Sequence, residues 1–112
     1  MSQKFSKSER ILKSRDFRNI LENGRKTVSR HVVLFTKDAA TDNSRLGLVV
    51  SKRVGNAVAR NAVKRCIREW FRTRPQPQLD IVVLARHSAA NADYQRMCVD
   101  LDRCLKRSIG VK

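Results

Sequence analysis

The sequence predicts an α+β fold, with residues 1–112 forming one domain. We expect a two-layer sandwich, in which a sheet of about four strands carries helices on one face. Amphipathic helical segments alternate with short apolar β-type runs in the order α-β-β(-β)-α-β-α, which is typical of one sheet covered by helices. The chain has 112 residues, 41% of them apolar, enough for one modest core. Residues 1–10 are expected to be a flexible tail.

The first half of the chain predicts one helix and two strands. A short helix lies between Ser14 and Gly24, because apolar side chains recur at i, i+3 and i+4 from Phe17. The segment His31–Lys37 contains a continuous apolar run, and Arg45–Ser51 alternates two faces, so both predict strands. A polar loop joins them, and we expect the two strands to pair as a hairpin.

The second half predicts a long helix, a buried strand and a last helix. The long helix spans about Ala57 to Arg74 and is ended by Pro75, and the apolar run Leu79–Ala85 predicts the strand. The last helix spans about Ala92 to Ser108. Its predicted core stripe consists of Tyr94, Met97, Cys98, Leu101, Cys104 and Leu105.

The charge of the chain limits the classes of partner. Twenty-five Lys and Arg against ten Asp and Glu give a formal charge of +15, which favours a polyanion such as nucleic acid. No apolar run is long enough for a membrane span and the N-terminus lacks a signal-type apolar region, so we predict a cytoplasmic protein without a membrane partner. The three cysteines show no C-x-x-C spacing and predict reduced core thiols. No metal site is predicted on the protein, because the two histidines lie far apart without ligand partners.

The long helix divides into two faces when it is placed on a helical wheel. The core face consists of Ala59, Val63, Cys66, Ile67, Trp70 and Phe71. The opposite side is cationic and consists of Arg60, Asn61, Lys64, Arg65, Arg68 and Arg72. Like charges four residues apart destabilise a free helix, whereas bound phosphates would make the same spacing attractive. The face therefore predicts binding to RNA or DNA.

The connection before this helix extends the cationic face. Lys52, Arg53 and Asn56 lie between the second predicted strand and the helix, and Asn56 is a plausible N-cap. Backbone N–H groups at a helix N-terminus direct positive potential towards an anion. Charge alone does not distinguish RNA from DNA.

The stretch from Arg45 to Arg72, RLGLVVSKRVGNAVARNAVKRCIREWFR, closely resembles the signature region of the protein subunit of bacterial ribonuclease P. It contains the arginine-asparagine motif of that family, centred on Arg60 and Asn61 and preceded by Ser-Lys-Arg-x-Gly-Asn. Segments on both sides agree as well, so the resemblance covers nearly the whole chain.

The resemblance implies a protein cofactor of a catalytic RNA. The pair would remove the 5′ leader from precursor tRNA by Mg²⁺-dependent hydrolysis, with Mg²⁺ bound mainly by the RNA, no catalytic residue in the protein and no obligate protein partner. It assigns contact with the RNA subunit to Lys52, Arg53, Asn56, Arg60, Asn61, Lys64, Arg65 and Arg68. It also implies a ribosomal-protein-like sandwich with a left-handed β-α-β crossover around the long helix, against the usual right-handed rule.

The resemblance further implies a cleft beside the first helix that holds the single-stranded leader, partly through aromatic side chains. Phe17 and Phe35 match two positions of that cleft, and Leu21 stands where relatives often have an aromatic residue. Periodicity alone favours Phe17 and Phe35 as core residues, whereas the resemblance makes the cleft an equal alternative, so both interpretations stay open.

Three other classes of protein share parts of this pattern. A ribosomal or general RNA-chaperone protein has the same size and charge, and only the motif argues against it. A self-sufficient nuclease would need clustered carboxylates, which the ten acidic residues do not form in sequence. A DNA-binding regulator is disfavoured because the basic helix is flanked by strands instead of a helix-turn-helix partner.

Overall fold

A computed structural model describes residues 14–38, 44–73 and 79–108 of the chain. The predicted tail at 1–10, most of the loop after the first predicted strand and the Pro-Gln link before Leu79 lie outside these residues. The elements in chain order are α1 (Ser14–Asn23), β1 (Arg25–Val28), β2 (Val32–Asp38), β3 (Arg45–Val49), α2 (Ala57–Thr73), β4 (Leu79–Ala85), a 3₁₀ helix (His87–Asn91) and α3 (Tyr94–Ser108). The predicted order of elements and the α+β class are confirmed.

The four strands form one sheet in the order β1-β2-β4-β3. β4 pairs antiparallel with β2 and parallel with β3, so the predicted hairpin between β2 and β3 is wrong. β4 is an inner strand between β2 and β3, and nearly all its side chains are buried, on both faces of the sheet. The parallel β3-α2-β4 connection is a β-α-β unit, and its left-handedness stays a prediction.

Helices cover both faces of the sheet. α2 and α3 pack on one face, where Trp70, Ile67 and Leu101 meet Leu34 and Ile81. On the other face Ile20 of α1 packs against Val33, Phe35 and Val82. The prediction that all helices lie on one face is therefore wrong for α1. The apolar side chains of β2 and β4 alternate between both faces, so each face requires its own cover.

The sequence patterns did not locate the strand β1, and they assigned Tyr94 to the core in error. β1 is a polar edge strand, RKTV, with only Thr27 buried, so it lacks the apolar run by which β2 and β4 are recognised. The Thr27 and Ser108 hydroxyls lie 2.9 Å apart in a hydrogen bond that joins β1 to the end of α3. Tyr94 departs from the predicted core stripe of α3, because its side chain is 47% exposed in the first turn.

Candidate nucleic-acid interface

The loop that leads into α2 is a pair of consecutive turns. The N–H of Val54 donates to the carbonyl of Ser51 (3.1 Å), and the N–H of Gly55 donates to that of Lys52 (3.2 Å). Val54 is buried in the core and anchors the loop. Gly55 has a φ of 154°, and a Cβ there would lie 2.9 Å from the Cβ of Ala59, so this position requires glycine. The loop leaves the side chains of Lys52 and Arg53 exposed.

Asn56 is the N-cap of α2, as predicted. Its side-chain Oδ1 accepts a hydrogen bond from the N–H of Ala59 at 2.9 Å, and its carbonyl accepts one from the N–H of Arg60 at 2.9 Å. An asparagine at this position stabilises a helix by about 1 kcal/mol. The side-chain oxygen of Asn56 is thus engaged by the helix, and its exposed amide faces solvent next to the loop cations.

The core face of α2 orients the predicted recognition residues. Val63, Ile67, Trp70 and Phe71 are buried, and the indole N–H of Trp70 donates to Asp102 on α3 at 2.8 Å. With that face held against the sheet, Asn61, Arg65 and Arg68 are exposed, whereas Arg60 and Lys64 lie half-buried at the flank. The division into core and cationic faces that the wheel predicts is confirmed. Together with Lys52, Arg53 and Asn56, these five residues form one continuous surface, which we call the cationic face.

The cationic face has no internal neutralisation in the parts of the chain that the structure describes. Of its six positive residues, none forms an ion pair with a described carboxylate. Glu69 is the one acidic residue of α2, and it pairs with Arg72 of the same helix. The six charges therefore repel one another in the free protein, and a polyanion would relieve that repulsion.

Arg60 contains a polar atom without a partner. Its Nε is the only fully buried side-chain nitrogen or oxygen in the described ranges that lacks a hydrogen-bond partner. A buried donor left unpaired costs about 1–3 kcal/mol, and more on a charged group. A guanidinium can fork onto two phosphate oxygens, so a phosphate is a suitable partner for the Arg60 side chain.

The residues predicted for the leader cleft lie on the opposite face of the sheet, around α1. Phe35 is only 9% exposed and belongs to the small core under α1, whereas Phe17 is half-buried at its border. The ring of Phe17 lies over Gly47, where an added Cβ would come within 2.6 Å of it. Leu21 is 39% exposed. The structure therefore makes Phe35 a core residue and leaves Phe17 and Leu21 partly open to solvent.

A row of apolar side chains crosses the sheet beside α1. Val28 of β1 lies opposite Val33 of β2, which lies opposite Leu84 of β4. Leu84 in turn lies opposite Val49 of the edge strand β3. Val28 is 48% exposed, and Leu84 and Val49 are half-buried. This row was missed by the sequence analysis, because it joins residues of four strands whose neighbours only the sheet topology determines.

Arg45 holds α1 against the sheet next to this row. Its guanidinium donates two hydrogen bonds to Asp80 of β4, at 2.9 and 2.7 Å, and a third to Asp16 in the first turn of α1, at 3.1 Å. Hydrogen bonding to Asp80 raises the pKa of Arg45, so the guanidinium stays charged. Sequence patterns did not indicate this network, because its members lie 29 and 35 residues apart.

No group of three or more His, Cys, Asp or Glu side chains comes together in ranges 14–38, 44–73 and 79–108. Over the same part of the chain, no helix has the length and apolarity to cross a membrane.

Comparison with known proteins relates this architecture to one family. The family described as Ribonuclease P matches residues 5–108. The ribonuclease P protein component of Desulforapulum autotrophicum is 35% identical over 111 residues, covering 96% of this chain and 95% of that protein. A Staphylococcus aureus RNase P protein mutant with defective mRNA degradation activity superposes with a TM-score of 0.86 at 37% identity, over 92% and 90% of the two chains. For the RNase P protein from Thermotoga maritima the TM-score is 0.78 at 33% identity, over 88% and 96%.

Proposed function

The chain belongs to the family of bacterial ribonuclease P protein components, and from that membership we propose that it is the non-catalytic, RNA-binding subunit of the enzyme. As a ribonuclease P protein component it has a role in tRNA 5′ processing, alongside an RNA subunit. In the proposed division of labour, the RNA subunit hydrolyses the precursor. The protein binds that RNA and the 5′ leader and so increases the affinity for precursor tRNA.

The cationic face is the observation that carries the proposal. Six positive side chains share one surface without a described counter-ion, and the one unpaired buried donor of the described residues, Nε of Arg60, belongs to it. Each phosphate that binds here releases condensed counter-ions from the RNA, which favours binding at low salt. Asn61, exposed among the cations, offers both a donor and an acceptor to a sugar or a base edge.

The leader site is proposed for the opposite face of the sheet. Phe17, Leu21 and the apolar row, apart from its buried member Val33, are partly open there. They offer stacking and apolar contact without selecting a sequence. Base-aromatic stacking contributes about 1–3 kcal/mol per base and tolerates any base, as a leader of variable composition requires. One sheet thus separates the surface for the RNA subunit from the surface for the leader.

Mg²⁺ enters the proposal as a cofactor of the holoenzyme, held by RNA. Among the described residues the buried carboxylates are Asp80 and Asp100. Each already accepts a hydrogen bond within the protein, Asp80 from Arg45 and Asp100 from the backbone N–H of His31. A nuclease of two metal ions would need such carboxylates free and clustered. What the protein supplies is positive charge, which lowers the Mg²⁺ concentration that the RNA needs to hold precursor tRNA.

Reconstitution with the RNA subunit of ribonuclease P tests the proposal. We expect the protein alone to be inert towards precursor tRNA in Mg²⁺, and the protein with the RNA to cleave, with the largest stimulation at low Mg²⁺. RNA-free specific cleavage, or equal stimulation at every Mg²⁺ concentration, would contradict it. Equal affinity for the RNA subunit and for an unrelated structured RNA would favour a general RNA chaperone instead. Cytoplasmic location and the absence of an obligate protein partner stay predictions.

A further inference from the structure

A groove of about 310 Å³ lies between α2 and the segment that leads into α3. Its lining includes Ala62, Cys66, Ala89, Ala92, Tyr94 and Met97. Most of these side chains are small and apolar, so the walls of the groove offer mainly carbon atoms. The volume is at the lower end of what small-ligand sites provide, enough for one planar ring system.

Tyr94 is the aromatic wall of this groove. It is the only tyrosine of the chain, and its side chain is 47% exposed although it begins a helix whose other predicted core residues are buried. A half-exposed ring in the wall of a groove offers an aromatic face for stacking.

The groove is continuous with the cationic face. Arg65, which belongs to that face, also lines the groove, and so does Glu69 on the same helix one turn later. On the helical wheel, Arg60 and Lys64 lie on the flank of α2 that faces away from the groove. A phosphate chain bound along the cationic face would therefore run beside the groove. A polynucleotide held by the cations therefore has a base-sized apolar site within reach.

We propose that this groove receives one unpaired nucleobase of the RNA subunit, stacked on Tyr94. The inference rests on the proposed function and adds a base-binding subsite to it. Arg65 binds the phosphate beside that nucleotide, and the Glu69 carboxylate accepts an N–H from the base edge. A nucleotide matches both parts of the site. Its base is a flat ring that fits the apolar walls, and its phosphate can bind Arg65 at the rim.

Variants at Tyr94 test the stacking contact in the full chain, by titration against the RNA subunit. Tyr94→Ala should weaken binding about five-fold or more, the lower end of one base-aromatic stack. Tyr94→Phe keeps the ring and should bind within about two-fold of the unchanged protein. Val99→Ala, an exposed apolar position on the solvent side of α3, is the matched control and should have no effect. Circular dichroism verifies that each variant folds.

Alkylation of Cys66 gives a second readout that does not depend on affinity. Cys66 is half-buried and lines the groove, whereas Cys98 and Cys104 are buried, so peptide mass spectrometry can follow it separately. Saturating RNA subunit should slow alkylation of Cys66 by iodoacetamide at least five-fold. Inorganic polyphosphate, which has phosphates and no bases, should leave the rate unchanged.

The outcomes separate this inference from the proposed function. Normal binding by Tyr94→Ala, loss of binding by Tyr94→Phe, or equal Cys66 rates with and without RNA would overturn the base site. Equal protection by polyphosphate would also overturn it, since phosphate cover alone would then explain the protection. If Arg65→Ala still weakens RNA binding in any of these cases, the proposed function stands. If Arg65→Ala does not weaken RNA binding either, the proposed function fails together with the base site.

Discussion

Arg45 and Asp80 are direct neighbours across the parallel strands β3 and β4, and they form a two-point ion pair with N–O distances of 2.9 and 2.7 Å. Asp80 is nearly buried, with 5% of its side chain exposed, against 16% for Arg45. A third bond from Arg45 reaches Asp16 of α1. This one guanidinium therefore connects the sheet edge to the helix that borders the proposed leader cleft.

Asp80→Ala is expected to destabilise the protein strongly. The substitution leaves the partly buried Arg45 without its main partner, and breaking such a pair costs about 3–5 kcal/mol. Asp16→Ala removes the more exposed partner, 31% of whose side chain is accessible, and should cost no more than about 1 kcal/mol. Urea unfolding followed by the fluorescence of Trp70 measures both. Equal losses in the free energy of unfolding for the two variants would show that Asp80 is not the main partner of Arg45.

Removing two cations from the cationic face should weaken binding to the RNA subunit and flatten its salt dependence. For Arg60→Ala combined with Arg65→Ala, the slope of log K against log salt should fall by about two, one for each lost phosphate contact. The control is Arg96→Ala with Arg103→Ala, which removes the same charge from exposed positions on α3. If both double variants change the slope equally, net charge and not this surface determines RNA binding.

An aromatic residue at position 21 should strengthen binding of the leader. Leu21 is 39% exposed at the border of the cleft, so Leu21→Phe adds a ring at little cost in stability. One additional stacked base corresponds to about five-fold or more in affinity. The measurement is the affinity of the reconstituted enzyme for precursor tRNA, and tRNA without a leader is the control. A gain for both substrates would place residue 21 outside the leader site.

The thiol of Cys66 should react more slowly in the folded protein than in the unfolded one, and its rate should rise with pH. Burial raises the pKa of Cys66 from about 9 to about 11, and the thiolate is the reactive form. The alkylation rate of the folded protein should therefore rise with a midpoint near pH 11, and that of the urea-unfolded protein near pH 9.

The same shift of Cys66 has a consequence for stability. Because the folded pKa lies above the unfolded one, the folded state binds the proton more tightly between the two values. The contribution of Cys66 to the free energy of unfolding is therefore complete below about pH 9 and is lost as the pH rises through about 11. Cys66→Ser should remove this part of the pH dependence. An alkylation midpoint near pH 9 in the folded protein would contradict both expectations.

The candidate site was predictable from sequence where it depends on one helix. The core and cationic faces of α2 follow from the 3.6-residue period, which is a local property, and Asn56 caps the helix through an atom three residues from its partner. The role of Phe35 was not predictable in this way. Aromatic character suits both a core and a cleft, and burial under Ile20 of α1 decides it.

For the whole chain, the sequence by itself determined the order of elements, the α+β class, the two faces of α2 and the resemblance to ribonuclease P proteins. Only the tertiary structure decided that β4 lies between β2 and β3, that α1 covers the second face, and that Tyr94 and Cys66 line one groove. The reason is physical: periodicity and capping involve residues within a few positions of one another. Strand neighbours, the Arg45 network and the groove depend on contacts between distant segments, which become favourable only when the whole core forms.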